Sequence, residues 1–151
     1  AAAIGKSPLG VFAPHDDAQQ RAEMASLLAP LGAVIWIDEE VHMDAVTALA
    51  GSGPAFVYRF IDALSQGGEA AGLPRAIAAK LALAMTEGAA ILAATSSETP
   101  TDLARRVTSP GGTTAAGLAV LDSDSALNIL MTDTLRAARD RGTELAKGDA
   151  T

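Results

Sequence analysis

The chain has 151 residues, 49% hydrophobic but only 3% aromatic, with 34 alanines, 14 glycines and 7 prolines. Alanine favours helix and strands need β-branched and aromatic residues, so this composition excludes a β-sandwich and predicts a mainly helical protein. A net charge of −7 argues against nucleic-acid binding, and the absence of cysteine excludes disulfides, thiolate zinc sites and a cysteine nucleophile.

Residues 1–38 read as strand, helix, strand. The run 9–13 is a strand candidate closed by Pro14, and His15-Asp16-Asp17 opens a helix with acids at its positive end. Met24, Leu27, Leu28 and Leu31 recur at helical spacing, and Gly32 stops the helix. The unbroken apolar run 33–37 predicts a second strand buried on both faces. From Asp38 on, every segment reads as helix. Asp38 is expected to cap a helix reaching about Ala50, which Gly51-Ser52-Gly53-Pro54 breaks before the next one starts. That next helix carries Phe56, Val57, Phe60, Ile61 and Leu64, with Gly67-Gly68 as its end or as a point of close backbone approach. After Gly72-Leu73-Pro74, a helix to about Thr95 is apolar nearly all round and is expected to be central. Thr99-Pro100-Thr101-Asp102 is a variant capping box for a short helix ending at Arg106. Thr113-Thr114 begin another helix. The last runs from about Ser125 to Lys147, with a seam of Leu127, Met131, Leu135, Ala138, Gly142 and Leu145. No apolar run approaches the ~18 residues of a membrane span, so none is expected. The N-terminus lacks Met and a basic segment, so it does not read as a signal peptide; the chain reads as beginning partway through something longer.

The densest candidate site is Val107-Thr108-Ser109-Pro110-Gly111-Gly112-Thr113-Thr114-Ala115. Two glycines allow a tight turn and close approach of a ligand, and the helix behind them offers free N–H groups to an anion. The competing reading is an interhelical turn with threonine caps. Gly51-Ser52-Gly53-Pro54 is a weaker candidate, since a broken helix needs such residues anyway. No P-loop and no Gly-x-Gly-x-x-Gly fingerprint is present. His15 and His42 lack a second ligand at helical spacing, so no metal site is expected. Asp38-Glu39-Glu40 reads as a helix start rather than a catalytic pair. Arg105-Arg106 reads as an anion aid or, more simply, as solvated helix charge. Ser109 has no histidine partner for a hydrolase triad.

Three stretches, Asp44-Ala45-Val46-Thr47-Ala48-Leu49-Ala50-Gly51-Ser52-Gly53-Pro54-Ala55-Phe56, Gly72-Leu73-Pro74-Arg75, and the loop continued to Ala116-Gly117-Leu118, resemble in order and spacing the C-terminal half of pyrroline-5-carboxylate reductases. Trp36-Ile37-Asp38-Glu39-Glu40 resembles that family's junction between domains, and the resemblance covers residues 1–148. Ala50 and Phe56 depart from it, where the family often has Ser and Tyr. The resemblance implies a cytoplasmic oxidoreductase that reduces 1-pyrroline-5-carboxylate to L-proline with NADPH or NADH. It implies homodimers through the helical domains, and in some members decamers. It also implies a fold like the C-terminal domain of 6-phosphogluconate dehydrogenase, here residues 39–151, preceded by residues 1–38 as the end of a Rossmann domain. Most of that nucleotide-binding domain is missing from the sequence, so no cofactor-binding residue is assigned and the chain alone is expected to be inactive. By the same resemblance, Val107, Ser109, Gly111, Gly112, Thr113 and Thr114 bind the substrate: backbone N–H groups of the loop and the Ser109 hydroxyl hold its carboxylate, and the Thr114 hydroxyl bonds the imine nitrogen. Two other readings stand beside this one. One is a non-catalytic oligomerisation module. The other is the helical domain of a related 2-hydroxyacid dehydrogenase, although Lys6, Lys80 and Lys147, the lysines available, lie outside the glycine motifs.

Overall fold

The computed structural model describes residues 1–15 and 17–148. Asp16, expected at the first helix start, lies outside the described residues. The chain forms two compact units: Ala1–Pro54 joined by the chain from Met131 onward, and Ala55–Leu130.

In the first unit, β1 (Ser7–Phe12) and β2 (Gly32–Ile37) form a parallel pair in the register Ser7↔Gly32 to Phe12↔Ile37. Helix α1 (Ala18–Leu28) connects them. Asp17 caps it, accepting from the N–H groups of Gln19 and Gln20, while the Gln20 side chain accepts from the Asp17 N–H. Gly32 has φ 147°, and a Cβ there would run into the Ser7 backbone, so only glycine admits this start of β2.

The packed face of α1 is Arg21, Ala25 and Leu28, with the Arg21 guanidinium 5.0 Å from the Trp36 ring centroid. The expected stripe is therefore corrected: Met24, Leu27 and Leu31 are exposed. The expectation that β2 is buried on both faces is also corrected. Val34 and Trp36 are half-buried, but Ala33 and Ile35 are exposed. On the Ile35 face, Val46 packs against Gly10 of β1 and leaves Ile35 open.

The stretch after Asp38 is not one capped helix. A 3₁₀ turn at Glu40–His42, with no side-chain cap, leads into α2 (Met43–Val46). A π-helical turn at Thr47–Gly51 follows. Its bond runs from the Ser52 N–H to the Thr47 carbonyl at 3.0 Å, five residues back. Ser52 keeps helical angles (φ −87°, ψ −23°). Gly51-Ser52-Gly53-Pro54 thus widens the helix for one turn instead of breaking it, because Pro54 falls in the first turn of α3 (Gly53–Ala70), where its missing N–H costs nothing.

In the second unit, α3 leads to α4 (Arg75–Thr95) through a Schellman turn. Gly72 has φ 104°, the Leu73 N–H reaches the Gly68 carbonyl at 3.1 Å, and the Gly72 N–H reaches the Glu69 carbonyl at 3.0 Å. Gly68 is the expected point of close approach: a Cβ there would lie 3.2 Å from that of Ala78. Then follow α5 (Pro100–Arg106), α6 (Thr113–Asp122) and α7 (Ala126–Gly148), which continues into the first unit. Along α7, Leu127, Leu135, Ala138 and Gly142 of the expected seam are half-buried, whereas Met131 and Leu145 are exposed.

Among the described residues only Ala48 (3% exposed), Ala78 (3%) and Ala82 (6%) are buried hydrophobics. The expectation that α4 is central is corrected within this chain: Leu81 (54%), Leu83 (58%), Ile91 (57%) and Leu92 (53%) face outward. Helix α4 is also long and apolar enough, by length and composition, to cross a membrane, contrary to the reading of uninterrupted runs. Its scattered charges, Arg75, Lys80 and Glu87, hid this from a count of consecutive apolar residues.

Candidate functional site

The glycine loop lies in the second unit, between α5 and α6. Helix α5 is fixed from its start. The Thr99 hydroxyl accepts from the Asp102 N–H at 3.2 Å and donates to the Asp102 carboxylate at 2.6 Å, with Pro100 in the first turn. Arg105 donates to the same carboxylate at 2.6 Å. The Thr99 hydroxyl first, and Arg105 second, hold the Asp102 carboxyl below its ordinary pKa. Arg106 pairs with Glu98. Both arginines are thus engaged with acids along α5, in keeping with the simpler reading of Arg105-Arg106 as surface helix charge.

Val107 ends α5 at φ −93° and ψ 5°, with its side chain exposed. Thr108 bonds back onto α5, its hydroxyl to the Ala104 carbonyl at 2.6 Å and its N–H to the Arg105 carbonyl at 3.2 Å. Ser109-Pro110-Gly111-Gly112 is then a β-turn closed by the Gly112 N–H on the Ser109 carbonyl at 3.0 Å. Proline at the second position and positive φ (69°) at the third, Gly111, are the signature of a type II turn, which needs glycine there. Gly112 is required for another reason. A Cβ on it would collide with the Ser109 hydroxyl oxygen and lie 3.2 Å from the Ser109 carbonyl oxygen. The missing side chain at 112 is what allows the Ser109 hydroxyl to sit against the start of α6.

Gly112 is the N-cap of α6, extended at φ −79° and ψ 174°, and it offers no side chain to cap the helix. The first bond within α6 runs from the Ala116 N–H to the Gly112 carbonyl at 3.1 Å. The N–H groups of Thr113, Thr114 and Ala115 therefore have no helical acceptor and no capping side chain among the described residues. The alternative reading of this loop as threonine-capped is corrected: Thr113 and Thr114 are the first two residues inside the helix, and glycine is the cap. Thr113 is exposed and Thr114 half-buried.

The structure thus brings Ser109, Gly111, Gly112, Thr113 and Thr114 onto one turn, with Val107 at its edge. Uncapped N–H groups at the positive end of a ten-residue helix, with a serine hydroxyl beside them, suit a carboxylate without any basic side chain. Sequence reasoning missed the Thr108 bond and the contact of Ser109 with Gly112. The second glycine, which the sequence offers as room for a tight turn and for a ligand, was the available signal for that contact. The loop lies open. A groove of about 390 Å³ in the first unit, lined by Ala48, Leu49, Leu135 and Arg136 among others, contains none of its residues. His15 and His42 are exposed, and no cluster of potential metal ligands occurs among the described residues.

The family described as pyrroline-5-carboxylate reductase dimerisation matches residues 40–145. A pyrroline-5-carboxylate reductase of Synechocystis is 45% identical over 128 residues, 85% of this chain and 47% of that protein. Its counterpart in Pseudomonas aeruginosa is 39% identical, over 91% of this chain and 50% of that protein. The chain spans about half the length of the curated relatives it matches. Among solved structures, a pyrroline-5-carboxylate reductase from Coxiella burnetii superposes with a TM-score of 0.86 at 35% identity, over 91% of this chain and 51% of that one. The Plasmodium falciparum pyrroline carboxylate reductase, crystallised with NADP bound, superposes with a TM-score of 0.72 at 27% identity, over 88% of this chain and 54% of that one. With the family model covering most of its helices and the glycine loop itself, the chain belongs to the pyrroline-5-carboxylate reductase dimerisation family.

Proposed function

We propose that this chain is the substrate-binding and dimer-forming part of a cytoplasmic enzyme that reduces 1-pyrroline-5-carboxylate to L-proline with NADPH or NADH. The observation that carries the reading is the Ser109–Gly112 turn, which presents the uncapped N–H groups of Thr113, Thr114 and Ala115 beside the half-buried Thr114 hydroxyl. In this reading the substrate carboxylate sits on those N–H groups and on the Ser109 hydroxyl, with Val107, Gly111 and Gly112 shaping the seat. The Thr114 hydroxyl donates to the ring nitrogen. Negative charge develops on that nitrogen as the C=N bond is reduced, and a donor aimed there stabilises it. The carboxylate anchor contributes chiefly by holding the ring in one orientation.

The residues of this chain do not fit a nicotinamide-nucleotide site. Strands β1 and β2 lack the Gly-x-Gly-x-x-Gly turn that would seat a pyrophosphate, so we place the cofactor on the part of the full-length protein outside this chain. We read residues 1–38 as the closing strand–helix–strand of that nucleotide-binding domain and 39–151 as the helical domain. The parallel β1–β2 pair and a family match that starts at residue 40 support this division.

The experiment is NADPH oxidation with 1-pyrroline-5-carboxylate, run on the full-length protein and on this chain alone. Turnover by the former and none by the latter is the expected result. Turnover by the pure chain would show that the cofactor site has been misplaced. An inactive full-length protein that still dimerises would favour a non-catalytic oligomerisation module.

A further inference from the structure

Thr108 stands between α5 and the Ser109 turn and has no part in the proposed contacts to substrate. It is half-buried, and both of its donors are turned back onto α5: the N–H to the Arg105 carbonyl at 3.2 Å and the hydroxyl to the Ala104 carbonyl at 2.6 Å. Both carbonyls belong to the last turn of the helix, and that of Arg105 also accepts from the Val107 N–H. Two bonds from one residue to one helix fix its backbone and its χ1 together. The next residue is Ser109, whose carbonyl closes the turn on Gly112 and whose hydroxyl occupies the space left open at Gly112. The direction in which the chain leaves α5, and so the place of the Ser109 hydroxyl over the start of α6, is set at Thr108.

We propose that Thr108 is a positioning residue, which through its hydroxyl bond to the Ala104 carbonyl holds the Ser109 turn in register with the α6 N–H groups for a ligand carboxylate. This rests on the reading of the loop as the substrate-carboxylate site. A threonine that merely sealed the end of α5 would lower stability when changed and leave substrate affinity alone. A positioning residue shows itself in KM for the carboxylate substrate.

The test uses the full-length protein with Thr108→Val, which keeps the shape and loses the donor, and Thr108→Ser, which keeps the donor. Thr108→Ala is carried in parallel, so that misfolding of one hydroxyl-free variant leaves the comparison intact. The loss of one hydrogen bond's worth of alignment should raise KM for 1-pyrroline-5-carboxylate about fivefold. With kcat and the KM for NADPH held within about twofold, the loss is one of substrate anchoring. Thr108→Ser should restore the wild-type KM. Ser109→Ala and Thr114→Ala serve as controls on the underlying reading. If both keep wild-type kinetics, the loop is no carboxylate site and both proposals fall. If they weaken turnover while the hydroxyl-free Thr108 variants keep the wild-type KM, or if Thr108→Ser loses as much as they do, the site stands and the positioning role is overturned.

Discussion

Thr143 donates its hydroxyl proton to the Asp44 carboxylate at 2.6 Å, joining residues 99 apart in the chain. Thr143 lies on α7 beside Gly142, where a Cβ would stand 3.8 Å from Asp44 Oδ1. The bond ties α2 to α7 within the first unit. Hydrogen bonds to charged groups contribute about 1.5–3 kcal/mol, and the half-buried setting places this one near the lower end. Thr143→Val should therefore destabilise the chain by about 1–2 kcal/mol in urea unfolding, while Thr143→Ser should be nearly neutral. Equal stability of Thr143→Val and the parent would show that the bond contributes nothing net.

The second prediction concerns the uncovered helices. Three alanines are the buried hydrophobics among the described residues, while Leu81, Leu83, Ile91 and Leu92 of α4 are more than half exposed. Covering about 1,000 Å² of such surface is worth on the order of 25 kcal/mol before the costs of association. A second copy of the chain is the expected cover, given the dimerisation family. Sedimentation should give at least a dimer at micromolar concentration, and Leu83→Asp together with Ile91→Asp should dissociate or unfold it. A parent chain sedimenting as a 15.2 kDa monomer would contradict this.

A third prediction follows from the cap of α5. The Thr99 hydroxyl and Arg105 hold the Asp102 carboxyl below its ordinary value of 3.8. A carboxyl whose pKa is lower in the folded state adds stability that is fully present above the unfolded pKa. That contribution is lost as pH falls through the folded one. NMR titration should place the Asp102 midpoint below 3.8, and Thr99→Ala should move it back up. Thr99→Ala should also cost about 1 kcal/mol of stability at neutral pH through the lost cap. A midpoint unmoved by Thr99→Ala would refute the assigned cause.

Local chemistry made parts of the fold legible in the sequence. Thr99, Pro100 and Asp102 mark the start of α5 because capping acts within one turn, and Gly72 marks the end of α3 because a Schellman turn needs a left-handed residue. The start of α6 behind Gly111 and Gly112 was legible for the same reason. Burial was not legible. An alanine-rich helix such as α4 shows an apolar surface but not whether its own chain or another covers it. Nor was the turn at Gly51-Ser52-Gly53-Pro54, since small residues permit a π turn as readily as a break. The contact of Ser109 with the Cβ position of Gly112 was not legible either, since no spacing rule reveals it.

The geometry of α6 sharpens the prediction for Thr114. As the second residue inside the helix behind a glycine cap, it does not cap, so Thr114→Ala removes no capping bond. Alanine is also the better helix former, by a few tenths of a kcal/mol, and the melting temperature should hold or rise slightly. If the hydroxyl bonds the imine nitrogen, kcat/KM of the full-length protein should nonetheless fall about 10²-fold, the usual order for losing a donor aimed at developing charge. Thr114→Ser keeps the donor and should retain much of the activity. Gly112→Val should fail differently: its side chain displaces the Ser109 hydroxyl and disturbs the carboxylate seat, raising KM more than it lowers kcat. The decisive comparison is kcat and KM beside melting temperature for the three variants. A Thr114→Ala protein that folds as well as the parent and reduces 1-pyrroline-5-carboxylate equally fast would strip Thr114 of its catalytic role, leaving the turn an anchor for the carboxylate alone.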